Sequence, residues 1–172
     1  MTSAYRIRDA APADAGIMVR MLMSLASETE NVELDEGEVR RGVTTLFEQG
    51  SLGRLYVAEE VPKGDTNIKG PSDGNRSSPQ IVGVMTVTYE WSDWRGKLFL
   101  WIQSVYIIPS KRKQGIFQKF YDHLIRIMAE DPKYCGLRLA VNSKNEKAIR
   151  AYKQVGMKRE KYQLMGRMKS KY

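Results

Sequence analysis

Cysteine and histidine are almost absent from the sequence. Its 172 residues include one cysteine, Cys135, and one histidine, His123. A single cysteine cannot form an intramolecular disulfide, and the two residues together cannot supply the His/Cys cluster of a typical zinc site. We therefore expect no metal site and a reducing, cytoplasmic location.

Long hydrophobic runs are also missing. Hydrophobic residues make up 42% of the chain and charged residues 28%, which is an ordinary balance for a globular protein. No apolar stretch is long enough to span a bilayer, and the segment Met1 to Ala10 has no signal-peptide core. The length suits one compact domain, so we predict a single domain over residues 1–172 and no membrane partner.

Acidic residues are outnumbered by basic ones. The chain has 28 Lys and Arg residues against 20 Asp and Glu residues, which gives a formal net charge of +8. Such a surface can bind nucleic acid, can bind a polyphosphorylated ligand, or can simply be solvated. The sequence has no basic stripe interleaved with aromatic residues, so nucleic-acid binding is the least favoured of the three.

Hydrophobic periodicity predicts helices and strands in the order β-α-α-β-β-β-α-β-α-β, which is typical of a layered α/β or α+β fold. The segment 62–80 is rich in Gly, Ser, Pro, Asn and Asp and predicts a mobile loop inserted into a hairpin. The predicted strands lie near residues 5–8, 55–58, 81–89, 98–108, 137–141 and 157–165, and the predicted helices near 12–26, 35–49, 115–129 and 145–155.

A strand, a basic loop and a helix start follow one another from Val105 to Phe117. A helix N-terminus offers unpaired N–H groups and partial positive charge, so this arrangement can bind a pyrophosphate. Gly115 would let the backbone approach phosphates closely. The residues alone also fit an ordinary strand-to-helix turn with solvated lysines and arginines.

Two motifs in order distinguish these interpretations: Arg112–Phe117 opens one helix, and the segment Asn145–Gly156 reads N-x-x-A-x-x-x-Y-x-x-x-G. With these motifs the chain resembles the GNAT superfamily of N-acetyltransferases. The family usually has Gly or Ala where this chain has Phe117, so we expect the Phe117 side chain to point into the core. The resemblance implies a mixed, mostly antiparallel central sheet flanked by helices and splayed where the cofactor wedges in.

The resemblance also implies acetyl-CoA as co-substrate. Strand backbone would pair with the pantetheine arm, amides of the basic loop would hold the pyrophosphate, and the later helix would line the pantetheine. The cofactor-binding residues implied in this way are Val105, Tyr106, Ile107, Arg112, Lys113, Gln114, Gly115, Ile116, Phe117, Asn145, Ala148 and Tyr152.

For the reaction, the resemblance implies direct attack of a primary amine on the thioester in a ternary complex. Tyr152 is the candidate general acid, because a phenol is protonated at neutral pH. Its alternative role is to form part of the buried face of its helix. A backbone N–H of the strand at Tyr106 is the candidate donor to the oxyanion.

The general base and the acceptor remain open at this point. Many relatives place a carboxylate where this chain has Gln103 and Ser104, so Glu90, Asp93 or an acid in the run Glu28–Glu38 would have to act instead. That acidic run and the tryptophans of the 91–96 turn would border the acceptor cleft and favour a cationic amine. A catalytically degenerate, acetyl-CoA-binding regulator is the alternative function, and the resemblance leaves a homodimer open.

Overall fold

The computed structural model describes residues 4–61, 79–167 and 169. Most of the predicted loop insertion, residues 62–78, lies outside these described residues. Backbone contacts divide the chain into two units, residues 1–140 and 141–172. The prediction of a single domain stays a prediction.

The first unit follows the predicted order of elements. Each helix and strand begins and ends within about four residues of its predicted range. The elements are β1 (Ala4–Asp9), α1 (Ala15–Glu30), α2 (Glu36–Glu48), β2 (Gly53–Val61), β3 (Gln80–Ser92), β4 (Lys97–Ile107), α3 (Ile116–Glu130) and β5 (Tyr134–Leu139).

Local chemistry explains where the first two helices begin. Pro12 opens a short 3-10 turn, Pro12–Asp14, that leads directly into α1, because the fixed φ of proline suits a first helical position. The Asp35 side chain accepts a hydrogen bond from the Glu38 amide at 2.8 Å and so caps α2. Asn31, with a φ of 53°, ends α1 in the left-handed conformation.

The five strands form one sheet in the order β1-β2-β3-β4-β5. Neighbouring strands are antiparallel, except that β4 and β5 are parallel. β2 and β3 pair with each other on either side of the inserted segment, as the interrupted hairpin predicted. The expected mixed, mostly antiparallel sheet is confirmed.

β4 and β5 separate partway along β4. Their last pair is Ile102 with Leu139, and β5 ends there, whereas β4 continues to Ile107. The register against β3 shifts at the same point, where Ser104 lies opposite Thr86 but Ile102 lies opposite Val87. Gln103 is therefore the extra residue of a β-bulge, which bends the strand. The pairing thus ends where the splay is expected.

Helices cover both faces of the sheet. Along β2, Tyr56 belongs to the cluster that includes Phe120 and Leu124 of α3. Its neighbours Leu55 and Val57 belong to the cluster formed with α1 and α2. Because successive strand residues point to opposite faces, α3 lies on one side of the sheet and α1 with α2 on the other.

The second unit contains α4 (Glu146–Gln154). Gly156, with a φ of 90°, donates to the Lys153 carbonyl, and the next amide donates to the Tyr152 carbonyl. These two bonds form a Schellman motif, which confirms Gly156 as the C-terminal cap. The strand predicted over 157–165 is wrong, because these residues form no strand and are mostly exposed. Strand-like residue types need a partner backbone, and here they have no ladder.

Candidate active site

The loop between β4 and α3 has an unusual backbone. Pro109 ends β4 and opens a 3-10 turn, Pro109–Lys111. Lys113 then has a φ of 61° and Gly115 a φ of 77°, both in the left-handed region. The left-handed conformation is sterically unfavourable for a lysine but not for a glycine. Contacts in the rest of the loop must therefore stabilise Lys113 in it.

The N-terminus of α3 faces open space. Lys119 donates to the Gly115 carbonyl in the first backbone hydrogen bond of the helix. Amides in the first turn of a helix have no helical carbonyl to bond, and they carry partial positive charge. A Cβ atom built on Gly115 meets nothing within 4 Å. An anion can therefore approach this backbone directly.

The Gln114 side chain stabilises this loop through two hydrogen bonds. The Tyr5 hydroxyl of β1 donates to its Oε1, and its Nε2 donates to the Ser110 carbonyl at 3.2 Å. Because both ends of the amide are engaged within the protein, any role of Gln114 in holding a ligand falls to its backbone.

The two apolar residues that open α3 point into the protein. Ile116 is buried and Phe117 is half-buried, and both pack in the cluster on the α3 face of the sheet. The expected inward orientation of Phe117 is confirmed. Its bulk, unusual for the family at this position, is therefore taken up by the core and leaves the loop backbone accessible.

Carboxylates from other elements hold two of the loop cations. Lys111 Nζ pairs with Glu60 of β2 at 2.6 Å. Arg112 pairs with Glu28 of α1 at 2.6 Å and also donates through Nε to the Ile107 carbonyl at 2.8 Å. Through these pairs the loop contacts β2 and α1. Lys113 is exposed.

Glu28 also joins the loop to β4. The Tyr106 hydroxyl donates to Glu28, and the Arg112 guanidinium lies 5.3 Å from the centroid of the Tyr106 ring. Hydrogen bonds from Tyr106 and Arg112 hold the pKa of the Glu28 carboxyl below its ordinary value. Burial and the bond to Glu28 raise the pKa of the Tyr106 phenol. Glu28 is thus held charged, and Tyr106 is held neutral.

The register of β4 decides which peptide groups face the splay. Ile108 donates to the Val82 carbonyl, so in this antiparallel ladder Tyr106 also bonds towards β3. The peptide groups of Val105 and Ile107 point to the opposite edge, beyond the end of β5. The expected oxyanion donor at Tyr106 is therefore wrong, and the N–H groups available at the open edge belong to Val105 and Ile107.

A cavity of about 470 Å³ opens beside the C-terminal end of α1. Its wall combines hydroxyl groups, carboxylates and apolar side chains, and its lining residues are Met23, Ser24, Ser27, Glu28, Val32, Glu33 and Leu34. The acidic run of the sequence therefore contributes two carboxylates, Glu28 and Glu33, to a concave surface.

The candidate general bases already have partners. Glu90 forms an ion pair with Arg138 at 2.7 Å, and Asp93 accepts a hydrogen bond from the Trp94 amide at 2.9 Å. Glu28 bonds Tyr106 and Arg112, and its lowered pKa makes it a weaker base. Trp94 is 84% exposed at the tip of the β3–β4 hairpin, where solvent surrounds it.

The remaining predicted site residues share one face of α4. Asn145, Ala148 and Tyr152 are half-buried and are spaced three and four residues apart. The Asn145 Oδ1 accepts a hydrogen bond from the Ala148 amide at 3.1 Å, so this side chain caps the helix. Burial raises the pKa of the Tyr152 phenol, which stays protonated at neutral pH.

Sequence reasoning missed the bridge between Glu28 and the loop. Glu28 lies 78 residues from Tyr106 and 84 residues from Arg112 along the chain. No local pattern marks a pair at such separation. The acidic run indicated an exposed segment. Only the folded chain shows that Glu28 is the carboxylate of this run that bonds to Tyr106 and Arg112.

A mixed, mostly antiparallel sheet in which β4 leads through a loop to the N-terminus of α3 is the architecture of the acetyl-CoA-dependent transferases that the sequence resembles. The family model for the acetyltransferase (GNAT) family matches residues 72–157. A possible acetyltransferase from Clostridium difficile 630 is 30% identical, with 95% of this chain and 97% of that chain covered at a TM-score of 0.80. The chain belongs to the GNAT acetyltransferase family, which uses acetyl-CoA.

More distant solved structures share the fold alone. An aminoglycoside N-acetyltransferase in complex with CoA is 9% identical, with 99% of this chain and 98% of that chain covered at a TM-score of 0.72. A transcriptional regulator from Bacillus halodurans C-125 is 22% identical, with 96% and 100% covered at a TM-score of 0.68. Among proteins with curated descriptions, sequence comparison finds no match.

Within residues 4–61, 79–167 and 169, no group of three or more His, Cys, Asp or Glu side chains is arranged to hold a metal ion. In the same part of the chain, no helix is both long and apolar enough to cross a bilayer.

Proposed function

We propose that the protein is an N-acetyltransferase that moves the acetyl group of acetyl-CoA to a primary amine. The observation that carries this proposal is the open edge of β4 beside the exposed N-terminus of α3. Val105 presents its peptide groups there and Ile107 presents its N–H, since the Ile107 carbonyl already accepts from Arg112, and the loop ending at Gly115 presents amides to an anion. One surface thus offers both a backbone ladder and an anion site.

These features fit acetyl-CoA, which supplies an activated acetyl thioester. Val105 and Ile107 would pair with the pantetheine arm, and the amides from Arg112 to Phe117 would hold the pyrophosphate. Asn145 and Ala148 would line the pantetheine, with the Asn145 side chain kept for the helix cap. The accessible backbone at Gly115 supports the phosphate assignment.

In this proposal the chain contributes positioning and protons rather than a nucleophile. Val105 or Ile107 would donate an N–H to the reacting carbonyl oxygen, and Tyr152 would hold the proton that the departing sulfur takes. Holding the two substrates together supplies much of the remaining acceleration. Glu28 and Glu33 on the cavity wall support a positively charged amine as acceptor.

One experiment tests the cofactor and the activity together. Thermal unfolding is measured with and without acetyl-CoA, and thiol release is then followed with spermidine, an aminoglycoside, free amino acids and lysine peptides. Acetyl-CoA at 100 times its Kd should stabilise the protein by about 2.7 kcal/mol. Absence of any stabilisation would contradict the proposal. Stabilisation without thiol release for any amine would instead favour a regulatory acetyl-CoA binder.

Replacing Tyr152 with Phe tests the general acid. The variant keeps the half-buried ring but loses the proton, so we expect kcat to fall by about 100-fold, the contribution typical of general acid–base catalysis. The Kd for acetyl-CoA should stay within about threefold. Tyr162→Phe, at an exposed tyrosine of the same unit, is the matched control. An unchanged kcat in Tyr152→Phe would remove Tyr152 from the mechanism.

A further inference from the structure

Glu28 lies between the cavity beside α1 and the loop that precedes α3. It lies on the wall of the cavity beside α1, and its carboxylate accepts hydrogen bonds from Tyr106 of β4 and from Arg112 of the α3 loop. One carboxylate thus connects the candidate acceptor cleft with the candidate phosphate loop.

The bond between Glu28 and Arg112 is easily exchanged. Both side chains are substantially exposed, at 37% and 43%. Solvent-exposed ion pairs of this kind contribute about 1 kcal/mol or less to stability, so little energy opposes their separation. Tyr106 and the Ile107 carbonyl remain as partners for Glu28 and Arg112 respectively.

A diphosphate at the N-terminus of α3 would offer Arg112 a stronger partner. Arg112 lies three residues before Gly115, at the end of the turn that leads into the helix. Guanidinium groups bind phosphate oxygens through paired, charge-assisted hydrogen bonds, and a diphosphate carries more charge than one carboxylate. Glu28 and the diphosphate therefore compete for the same cation.

We propose that Glu28 is a counter-ion which Arg112 exchanges for the diphosphate of CoA, and that the released carboxylate then gives the acceptor cavity its negative charge. This inference rests on the proposed function, because it takes the α3 loop as the phosphate site. In the free protein the pair is neutral, and the cavity attracts a cation weakly. With CoA bound, Glu28 faces the cavity without Arg112, so cofactor binding favours the binding of a cationic amine.

The test measures the Kd for CoA by isothermal titration calorimetry at low ionic strength. Glu28→Gln keeps an acceptor for the Tyr106 hydroxyl but removes the charge that holds Arg112. We expect this variant to bind CoA about three- to fivefold more tightly than the unmodified protein, because an exposed ion pair of about 1 kcal/mol no longer competes. Glu33→Gln removes a charge from the same cavity wall and should change the Kd by less than about 1.5-fold.

A double variant separates competition from general electrostatics. Arg112→Gln should weaken CoA binding, and adding Glu28→Gln to it should have no further effect, since no guanidinium is left to compete for. Should Glu28 instead serve to position Arg112 for the phosphate, Glu28→Gln would weaken CoA binding. Weaker or unchanged binding by Glu28→Gln overturns the inference. Glu28→Ala serves as a second variant if Glu28→Gln folds poorly.

The charge of the cavity is tested with 1,4-diaminobutane as the probe. Its affinity should be higher for CoA-saturated protein than for free protein, and Glu28→Gln should abolish that difference whereas Glu33→Gln should retain it. An equal effect of CoA in all three proteins overturns the second half of the inference. If the unmodified protein binds no CoA, the proposed function itself fails, which is distinguishable from a failure confined to Glu28.

Discussion

Two residues with positive φ shape the turn into α3. Lys113 at 61° and Gly115 at 77° both reverse the chain locally, and Gln114 between them is tied to Tyr5 and to the Ser110 carbonyl. The glycine adopts its conformation without steric cost, whereas the lysine is held by its neighbours. The backbone of this loop is therefore the part that can contact a ligand, and its side chains mainly stabilise the backbone conformation.

Gly115→Glu should therefore separate binding from folding. The new side chain brings negative charge and bulk to the surface proposed to hold the phosphates, so we expect the Kd for CoA to rise at least about tenfold. Left-handed strain should also cost about 1–2 kcal/mol of stability. Gly96→Glu is the matched control, since Gly96 also has a positive φ, of 57°, and open space at its Cβ. Calorimetry should show weakened CoA binding in the first variant and unchanged CoA binding in the second. Equal CoA affinity in the two variants would contradict the phosphate assignment.

Among the elements, β4 belongs to the core of the sheet and also borders the candidate site. Its first half pairs with β5, and its second half, beyond the bulge at Gln103, has no partner strand on that edge among the described residues. The same bulge fixes which peptide groups point outward. This explains how a strand can be part of the core and also offer backbone groups to a ligand.

A buried ion cluster joins β1 to β2. Glu59 of β2 is buried and accepts hydrogen bonds from Arg6 and Arg8 at 2.6 Å, and Arg8 also pairs with Asp14 before α1. The hydrogen bond from Arg8 holds the pKa of the Asp14 carboxyl below its ordinary value. The cluster fixes the start of α1 against the edge of the sheet.

Glu59→Gln should reveal the strength of this cluster. Removing one partner of a buried ion pair leaves the others poorly compensated, and we expect a loss of about 2 kcal/mol, moderated because both arginines reach solvent. Urea denaturation gives the free energy of unfolding. Glu36→Gln breaks an exposed pair with Arg40 on α2 and should cost less than about 0.5 kcal/mol. Similar losses in both variants would show that the burial of Glu59 is unimportant.

For the whole molecule, the lone histidine should couple stability to pH. His123 of α3 is half-buried against the edge of the Tyr56 ring, and its Nε2 has no hydrogen-bond partner among the described residues. Desolvation lowers the pKa of His123 from its ordinary value of 6.5. The folded protein therefore takes up a proton less readily than the unfolded chain does.

The sign of the effect follows from this difference. Stability should be full above pH 6.5 and should fall as the pH drops towards the lower pKa of the folded state, because only the unfolded chain binds the proton there. Thermal unfolding between pH 8 and about pH 5.5 measures this. His123→Leu should flatten the curve in that window, since the lowered pKa values of Asp14 and Glu28 place their titration below it. An equal slope in the variant would assign the effect to other groups.

Local patterns were enough for the order of elements in the first unit and for the loop from Arg112 to Phe117. Hydrophobic spacing, Pro109 and Gly115 act over a few residues, so their consequences can be read without the rest of the chain. The same kind of pattern failed over 157–165, where strand-like residue types lack a partner strand. Residue type expresses a preference, whereas a strand also needs another backbone to bond.

The sequence by itself determined the family, the strand, loop and helix start from Val105 to Phe117, and the helix carrying Asn145 and Tyr152, because each depends on motifs of a few adjacent residues. Only the tertiary structure decided that the peptide groups of Val105 and Ile107 face the open edge of β4, since strand register is set by pairing with β3. Only the tertiary structure placed Glu28 against Arg112, 84 residues away along the chain. Such contacts depend on packing between distant elements, which no local pattern records.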